Sequence, residues 1–533
     1  MSKIPKLSLN IIKHSFTKTK MSLVCDYLVV GAGAASMSFI DTLLTEIPSA
    51  KIILVDQKHA PGGHWVDDYG YVQLHQPSLL YGVASRQLEG NWMKVMLYNR
   101  TLPWNHRANK KEIGEYFNSF VKDKVASGQL EYYPCCKYKF GQRISDDAHS
   151  FSTLNSEKTY SVQVKAKLVN GILGECKIPS QCPVDFPVDE GINLITPNDL
   201  YDVHTSKSPV SEKYVVLGNG KTAMDTIVYL QRAMKVNPTD ISWIISRDVW
   251  MLSRGDSKGG PWAWPQALLE NNGDFNKSAL ASEERGNFVR LDKNVTPTAF
   301  RFPVIGKDEL ILMRKIKNIV RRGRVTAIRF SDDNASLEFG KDQSPWPTHK
   351  DALFIHCTSP GPFNGREFTD VFVSENELNL PLLFAPPVSI SMSCMGFLEA
   401  ARSKGKLDID FGRKLIEAEN STLSESPSPK SMTENEVMRL LIQEFDLGGD
   451  EIRSLGSIVN LAMFICLADR DPMVGYNWHK ENRLSFLSVP GFKCKIYENM
   501  KFLASNGKSF GFEEGKIRMF ELLRDKLECL EGK

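Results

Sequence analysis

The stretch "DYLVVGAGAASMSFIDTLLTEIPSAKIILVDQ", residues 26–57, decides the fold of the first part of the chain. A short β-branched apolar run leads into "GAGAAS", and apolar residues then recur at helical spacing. A second apolar run, "AKIILVD", ends on Asp56. Strand, glycine turn, helix and strand form one βαβ unit, so the sequence predicts an α/β fold with a parallel sheet.

The turn of this unit carries the pattern Gly31-x-Gly33-x-x-Ser36, which is typical of a dinucleotide site. Gly31 allows a tight turn, and Gly33 lets the backbone approach a pyrophosphate at the helix N-terminus. Ser36 stands where Gly or Ala is usual, and Asp56 is placed to bond a ribose hydroxyl. The alternative interpretation is an ordinary glycine turn of an α/β domain.

A second unit repeats this pattern in "KYVVLGNGKTAMDTIVYLQRAM", residues 213–234. Its fingerprint, Gly218-x-Gly220-x-x-Ala223, has the usual small third residue, and Thr222 precedes it. The next apolar run, "DISWIIS", is predicted to be the second strand of this unit. The chain therefore contains two related dinucleotide motifs.

The residue at the ribose position distinguishes the two sites. Where the second site would carry an acid, Ser246 is followed by Arg247, and Arg254 comes a little later. Arginine attracts a 2′-phosphate through a charged, forked donor, so the second site is predicted to prefer NADPH over NADH. Asp248 leaves this assignment ambiguous, and the alternative for Arg247 is a solvated surface charge.

Two fingerprints in one chain indicate two cofactors, one of which passes hydride to the other. The first site, which ends in Asp56 and is followed by "PGGHW" at 61–65, suits FAD. The second site, which ends in Arg247, suits NADPH. We therefore expect electrons to pass from nicotinamide to flavin.

Four segments resemble flavin-containing monooxygenases and Baeyer–Villiger monooxygenases. "GGHW" (62–65) resembles their G-G-x-W, and "GNGKTAMD" (218–225) resembles their second fingerprint, G-x-G-x-S-[AG]-x-D. "ISRDVWMLSR" (245–254) is similar to their arginine-bearing NADPH segment. "DALFIHCTSPG" (351–361) resembles a later strand, D-x-h-h-x-A-T-G, where the chain returns to the FAD domain.

The resemblance implies which residues lie near the flavin ring. Gly62 and Gly63 would allow close approach of the backbone, and Trp65 would form a wall. Groups that could bond the flavin or move a proton are His64, His75 and Gln76. Ser391, at the start of a helix predicted within 386–404, is a candidate for the pyrimidine edge, and an ordinary helix cap is its alternative.

One departure from these families bears on the reaction. They carry F-x-G-x-x-x-H-[ST] before the second fingerprint, and here only His204-Thr205 matches its end. The sequence predicts an NADPH-dependent FAD oxidoreductase, with a monooxygenase that acts on a small organic molecule with O₂ as the first hypothesis. A reductase without oxygen insertion and a non-catalytic flavin- or nucleotide-binding protein are the alternatives.

Domain boundaries follow from the motifs and from composition. Residues 22–210 and 351–418 are assigned to a Rossmann-like FAD-binding domain, into which a Rossmann-like NADPH-binding domain is inserted at 211–350. A Ser/Pro/Glu-rich linker at 419–436 precedes a mainly helical C-terminal region at 437–533. Residues 1–21 are expected to be a disordered basic leader, with five lysines and no acid in the first 20 residues.

Composition excludes several classes of protein. The net charge of +3 over 533 residues predicts no nucleic-acid partner, and no apolar run approaches the length of a membrane span. The ten cysteines contain no C-x-x-C pair, and no spacing indicates a metal site. The cytoplasm is the expected compartment, with organelle import through the basic leader as the alternative. The oligomeric state is not indicated.

Overall fold

The computed structural model describes residues 21–88, 106–141, 145, 147–156, 158–172, 177–206, 211–254, 263–271, 274–331, 334–340, 343–360, 370–381, 388–420, 436–437, 453–485 and 496–530. The predicted leader, apart from Met21, and residues 421–435 of the predicted linker lie outside these ranges. No helix among the described residues is both long and apolar enough to cross a bilayer.

The strands before the second glycine turn are β1 (Met21–Val30), β2 (Ile52–Val55), β3 (Leu130–Tyr133), β4 (Cys136–Tyr138), β5 (Ala148–Thr153), β6 (Thr159–Asn170), β7 (Leu194–Ile195) and β8 (Tyr214–Leu217). Those that follow are β9 (Ile241–Ile244), β10 (Val249–Ser253), β11 (Phe288–Val289), β12 (Ala299–Ile305), β13 (Asn318–Val320), β14 (Val325–Ser331), β15 (Asn334–Phe339), β16 (Trp346–His349), β17 (Leu353–His356), β18 (Phe372–Ser374) and β19 (Glu377–Asn379).

The α-helices of the two sheet-containing units are α1 (Ala34–Glu46), α2 (Lys110–Ala126), α3 (Pro197–Thr205), α4 (Lys221–Arg232), α5 (Ala263–Glu270), α6 (Phe275–Glu284) and α7 (Lys307–Met313). The later helices are α8 (Val388–Ser403), α9 (Ile409–Asn420), α10 (Arg453–Leu467), α11 (Pro472–Glu481), α12 (Ile496–Asn506) and α13 (Glu514–Leu527). Short 3₁₀ turns include Gly63–Val66 and Ser78–Leu80.

Two sheets, the first mixed and the second parallel, carry the two glycine motifs. The first has the order β18-β19-β6-β1-β2-β3, with β5 paired to β6 and β4 paired to β5. The second has the order β13-β9-β8-β17-β7, and all of its pairs are parallel. The central strands β2, β8 and β17 are apolar and buried throughout, as expected for strands covered on both faces. The predicted α/β architecture is confirmed by these two sheets.

The boundary of the inserted unit differs from the predicted one. Strand β17 pairs with β8 and β7, so Leu353–His356 belongs to the second sheet rather than the first. Leu194–Ile195, also assigned to the first unit by sequence, lies at the edge of the same sheet. The predicted start at 211 is therefore too late and the predicted end at 350 too early, because parallel partners were not visible in the linear sequence.

The described part of the C-terminal region is mainly helical and packs on the first unit. Helix α8, which precedes the predicted linker, lies against α1, where a Cβ on Gly396 would come 2.8 Å from the Phe39 carbonyl oxygen. Phe464 of α10 and Met519 of α13 belong to the same hydrophobic core as Phe39. The helical region therefore shares a core with the first glycine-turn unit instead of forming a separate one.

Candidate cofactor and active site

The first glycine turn connects β1 to α1 through backbone contacts. Gly31 has a φ of +96°, a conformation that favours glycine, and its amide donates to the Val55 carbonyl over 2.8 Å. A Cβ on Gly31 would lie 2.5 Å from Cγ2 of Ile172. Gly33 is extended and immediately precedes the first turn of α1. Both glycines thus lie where the motif predicts them, at the carboxyl end of a central strand.

The loop "PGGHW" lies directly on this turn. The Gly62 amide donates to the Ala32 carbonyl over 2.8 Å. Gly63 has a φ of +61°, and a Cβ built on it would come 2.9 Å from the Gly33 Cα. The two glycine segments therefore pack backbone against backbone, a contact that leaves no room for a side chain at Gly63. This is a reason for the glycine in addition to the predicted close approach to a cofactor.

Asp56 ends β2 beside the same turn and is buried. Its carboxylate accepts the Ala32 amide and, over 2.6 Å, the Lys58 amide. A carboxylate offers about four lone-pair sites, and these two backbone bonds orient it.

Ser36 explains the departure at the third fingerprint position. It is fully buried, and a Cβ on Gly171 would lie 1.9 Å from its Oγ. The Ser36 hydroxyl has no hydrogen-bond partner in the described part of the chain. Ser36 therefore allows α1 to pack closely on the end of β6, which is the role that Gly or Ala usually has at this position.

The second glycine turn repeats this geometry between β8 and α4. Gly218 has a φ of +118°, and its carbonyl accepts the Trp243 Nε1–H over 2.7 Å. A Cβ on Gly220 would meet nothing within 4 Å, so space is open where the helix begins. Ala223 is fully buried and Thr222 is half-buried in the first turn of the helix.

Arg247 and Asp248 have opposite environments. Arg247 is exposed, and its carbonyl accepts the side-chain amide of Asn219, which ties it to the glycine turn. Asp248 is buried, and its two oxygens accept the Arg321 guanidinium over 2.7 and 3.2 Å. The ambiguity left by the sequence is thus reduced, because the carboxylate is engaged by a neighbouring arginine and the exposed side chain at the turn is cationic.

Arg254 lies inside the protein. Its guanidinium donates to the His75 carbonyl over 3.0 Å, to Glu309 over 3.1 Å and to the Val304 carbonyl over 3.1 Å. The structure therefore does not bring Arg254 to the exposed turn with Arg247. The role of Arg254 as a second phosphate ligand stays a prediction, and its side chain is buried at the junction of the two units.

The helices after the two glycine turns share a feature at their N-termini. Neither α1 nor α4 has a side-chain N-cap or an acid in its first turn. Helices α2, α3 and α6 are capped by Asn109, Thr196 and Asp274. A helix N-terminus without a side-chain acceptor presents amide donors and a positive dipole end to an anion.

His64 and Trp65 occupy a 3₁₀ turn that continues from Gly63. Trp65 is buried, and its indole N–H donates to the Tyr81 hydroxyl over 2.7 Å. The His64 ring lies 5.1 Å from the Trp65 ring. Desolvation, assisted by the positive charge of Lys58, lowers the pKa of His64 to about 4. Its imidazole is therefore neutral at pH 7.

His75 and Gln76 lie where the two units meet. The Leu74 amide donates to the Ala108 carbonyl over 2.9 Å, which aligns this segment with residues 106–109. Desolvation, together with the charges of Lys221 and Arg254, lowers the pKa of His75 to about 4. Gln76 is half-buried and has no hydrogen-bond partner among the described residues. His75 is thus a neutral group in contact with the second unit.

Ser391 lies in the first turn of α8 and is fully buried. Its neighbours in that helix contact α1: the Ser38 hydroxyl donates to the Ser389 carbonyl over 2.6 Å, and Thr42 and Ser393 share a hydrogen bond of 2.6 Å. Residues 382–387, which precede the helix, lie outside the described ranges. The structure therefore places Ser391 in the packed interface of α8, and no contact defines a cofactor role for it.

A buried charge cluster that no sequence motif indicated lies at the junction of the two units. Glu309 is 1% exposed and pairs with Arg107 at 2.9 Å, Arg254 at 3.1 Å and Lys221 at 3.3 Å. Burial alone would raise the pKa of Glu309, but the three cations and the Gly306 amide lower it to about 2. Lys221 also pairs with Asp225. Residues so far apart in sequence gave no local signal.

Asp68 is a second group that the motifs did not indicate. It is buried beside the same junction, and its Oδ1 accepts the Tyr69 amide over 3.1 Å. Desolvation raises the pKa of Asp68 to about 6, with a further contribution from the charge of Asp225. The Tyr69 hydroxyl donates to Asp225 over 3.1 Å. Asp68 is thus a carboxyl group that titrates close to neutral pH.

Comparisons with other proteins add the following similarities. No protein-family model matches the chain. Uncharacterized proteins of Mycobacterium tuberculosis and Mycobacterium bovis are 33% identical over 347 residues, which are 63% of this chain and 60% of theirs. The matched region thus spans less than two thirds of the length of these relatives.

The chain is also similar to solved structures of flavin-dependent monooxygenases. Polycyclic ketone monooxygenase from Thermothelomyces thermophila has 12% identity and a TM-score of 0.47, with 95% of this chain and 88% of that chain covered. Cyclohexanone monooxygenase with bound cyclohexanone has 12% identity and a TM-score of 0.43, with 72% and 88% covered. Ornithine N-hydroxylase from Kutzneria sp. has 14% identity and a TM-score of 0.40, with 64% and 83% covered. These similarities are low, and the sheets and turns described above carry the fold assignment.

Proposed function

We propose that the protein is an NADPH-dependent FAD oxidoreductase that holds FAD at the first glycine turn and NADPH at the second. The observation that carries this proposal is the pair of uncapped helix N-termini, each directly after a glycine turn at the carboxyl end of a central parallel strand. Each turn offers amide donors to a pyrophosphate. The two sites differ in the charge that follows, Asp56 in one and Arg247 in the other.

The residues of the first turn fit FAD. A carboxylate already oriented by two backbone amides, at Asp56, suits the hydroxyls of a ribose. Gly31, Gly33, Gly62 and Gly63 belong to two glycine segments in backbone contact, and neither Gly31 nor Gly63 has room for a side chain. Trp65 supplies a buried aromatic plane beside these segments.

The residues of the second turn fit NADPH. The open space at Gly220 leaves room for a phosphate at the N-terminus of α4. Arg247 is exposed, and its backbone carbonyl is held to the same turn by the side-chain amide of Asn219. A guanidinium at this position recognises a 2′-phosphate with forked donors, which NADH lacks.

For the reaction, we propose monooxygenation of a small organic substrate. When both cofactors are bound, nicotinamide supplies a hydride to flavin, and reduced flavin supplies electrons to O₂. His64 and His75, neutral at pH 7 because their pKa values are about 4, would act as hydrogen-bonding groups rather than as acids. Gln76, next to His75, would provide a side-chain amide. A reductase that passes electrons on without oxygen insertion is the second candidate, since the F-x-G part of the oxygenase motif is missing.

Replacing Arg247 by alanine tests the nucleotide assignment. We expect Arg247→Ala to raise the KM for NADPH at least tenfold, with little change in the KM for NADH, because only NADPH carries the 2′-phosphate. Steady-state oxidation of both nucleotides measures this. Arg232→Ala, an exposed arginine in the last turn of α4, is the matched control and should leave both values unchanged. Equal losses for both nucleotides would contradict the assignment.

An anaerobic titration distinguishes the candidate reactions. Protein that contains FAD should lose its yellow colour when NADPH is added under nitrogen. When air is readmitted, a monooxygenase should show a transient near-ultraviolet absorbance distinct from that of oxidised FAD, and a reductase should not. A protein that takes up no FAD contradicts both enzymatic proposals and favours a non-catalytic nucleotide-binding role.

A further inference from the structure

Residues 78–86 form an irregular turn whose carbonyl groups converge on one side chain. The guanidinium of Arg483, which lies just after α11, donates to four of these carbonyls. The acceptors and distances are Leu79 at 2.6 Å, Tyr81 at 2.8 Å, Val83 at 3.0 Å and Arg86 at 3.1 Å. Five N–H groups in a rigid plane allow arginine to serve several acceptors at once.

Amide groups of the same turn are also held by side chains. The Gly82 amide donates to Ser389 Oγ over 3.2 Å, the Val83 amide to the Tyr116 hydroxyl over 2.8 Å, and the Ser85 amide to Asp41 over 2.8 Å. These acceptors come from helices α8, α2 and α1. The conformation of the turn therefore depends strongly on side chains that reach it from other elements.

The turn contacts the candidate flavin site through Tyr81. Tyr81, whose carbonyl accepts from Arg483, also accepts the indole N–H of Trp65 through its hydroxyl over 2.7 Å. The two rings meet edge to face at 6.1 Å. A displacement of Tyr81 would thus change the orientation of the aromatic wall next to Gly63.

Arg483 is itself held in place. The preceding residue, Asn482, is buried and donates its side-chain amide to Ser393 Oγ over 2.9 Å. Ser393 also shares a hydrogen bond with Thr42 of α1. These hydrogen bonds therefore hold the backbone next to Arg483 against the core of the first unit.

We propose that Arg483 is a positioning residue for the flavin site: it fixes the turn 78–86, which through Tyr81 sets the orientation of Trp65. This inference rests on the proposed function, because the site it serves is the FAD site. It assigns a part in that site to the C-terminal helical region, where no chemical motif was found.

Hydrogen–deuterium exchange tests the contact with the turn and needs no cofactor. In Arg483→Lys, a point charge replaces the planar donor set, and we expect amide exchange in peptides covering 79–86 to rise at least tenfold. Arg518→Lys is the matched control, because Arg518 is an exposed arginine of α13 paired with Glu521. Exchange as slow as in this control overturns the inference.

Tyr81→Phe tests the route to the site. It removes the acceptor of the Trp65 N–H and leaves the carbonyl that Arg483 binds. We expect Arg483→Lys and Tyr81→Phe each to weaken FAD affinity at least tenfold and to change the near-ultraviolet circular dichroism to which Trp65 contributes. The double variant should bind FAD no more weakly than the weaker of the two single variants. If the double variant loses FAD affinity by the product of the two single losses, the two residues act independently and the route through Tyr81 is overturned.

Chemical rescue separates positioning from general destabilisation. Added methylguanidinium at millimolar, non-denaturing concentration should restore FAD affinity to Arg483→Ala and leave Arg518→Ala unaffected. Where Arg483→Ala does not fold, the lysine variant carries the test. If wild-type protein takes up no FAD, the proposed function and this inference fail together. If wild-type protein binds FAD and both Arg483 variants bind it equally well, the inference alone fails.

Discussion

Gly63→Ala is expected to weaken FAD binding at least tenfold. The φ of +61° disfavours any residue with a Cβ by about 1–2 kcal/mol. In addition, the Cβ would come 2.9 Å from the Gly33 Cα, and both partners are backbone that cannot move aside without distorting the glycine turn. The ratio of flavin absorbance to protein absorbance after reconstitution with excess FAD measures the effect.

Gly114→Ala provides the matched control for this substitution. Gly114 lies inside α2, and a Cβ there would meet nothing within 4 Å. Alanine in a helix interior is favoured over glycine by roughly 0.5–1 kcal/mol, so this variant should be as stable as wild type or more so. A Gly63→Ala protein with wild-type FAD content would show that the two glycine segments are not packed as described.

Glu309→Gln is expected to produce the largest loss of stability, about 3–5 kcal/mol at pH 7. The substitution removes the carboxylate that three buried or half-buried cations share. It leaves the charges of Arg107 and Arg254 uncompensated, while Lys221 keeps its pair with Asp225. Urea denaturation measures the change. Asp308→Asn is the matched control. The carboxylate of Asp308, next to Glu309 in sequence, forms an exposed pair with Arg232 that is worth about 1 kcal/mol or less.

The difference in unfolding free energy between wild type and Glu309→Gln should depend on pH. The pKa of Glu309 is depressed from 4.5 to about 2 in the folded protein, so the stabilisation by this carboxylate is complete well above pH 4.5. It is lost as the pH falls from about 4.5 towards 2, because the unfolded chain takes up the proton first. The difference in unfolding free energy between wild type and Glu309→Gln should therefore be constant from pH 8 to 6 and smaller at pH 4. An unchanged difference at pH 4 would contradict the assignment of this pKa.

The predicted glycine turns were recovered in the structure because they depend on local chemistry. A positive φ at Gly31 and Gly218, apolar strands before them and helices after them all follow from neighbouring residues. The role of Ser36 was also predictable in kind, since the third position needs a small side chain. The sequence did not indicate that the backbone of Gly171 occupies the space beside Ser36.

Arg254 and Arg247 are close in sequence but lie in different environments. It lies seven positions after Arg247, and both were expected to contact a 2′-phosphate. Strand β10 carries Arg254 into the interior, where Glu309 and two carbonyl groups accept its hydrogen bonds. Strand β17 was misplaced for a related reason, since its sequence shows a buried strand but not which sheet it joins.

The sequence by itself determined the two βαβ units, their glycine turns and the opposite charges that follow them, because each is encoded within about 30 consecutive residues. The tertiary structure alone decided three further features. These are the packing of Gly63 on Gly33, the charge cluster around Glu309 and the contact of Arg483 with the turn 78–86. Each joins residues separated by about 30 to 400 positions, and such contacts depend on how the sheets and helices pack, which no local pattern specifies.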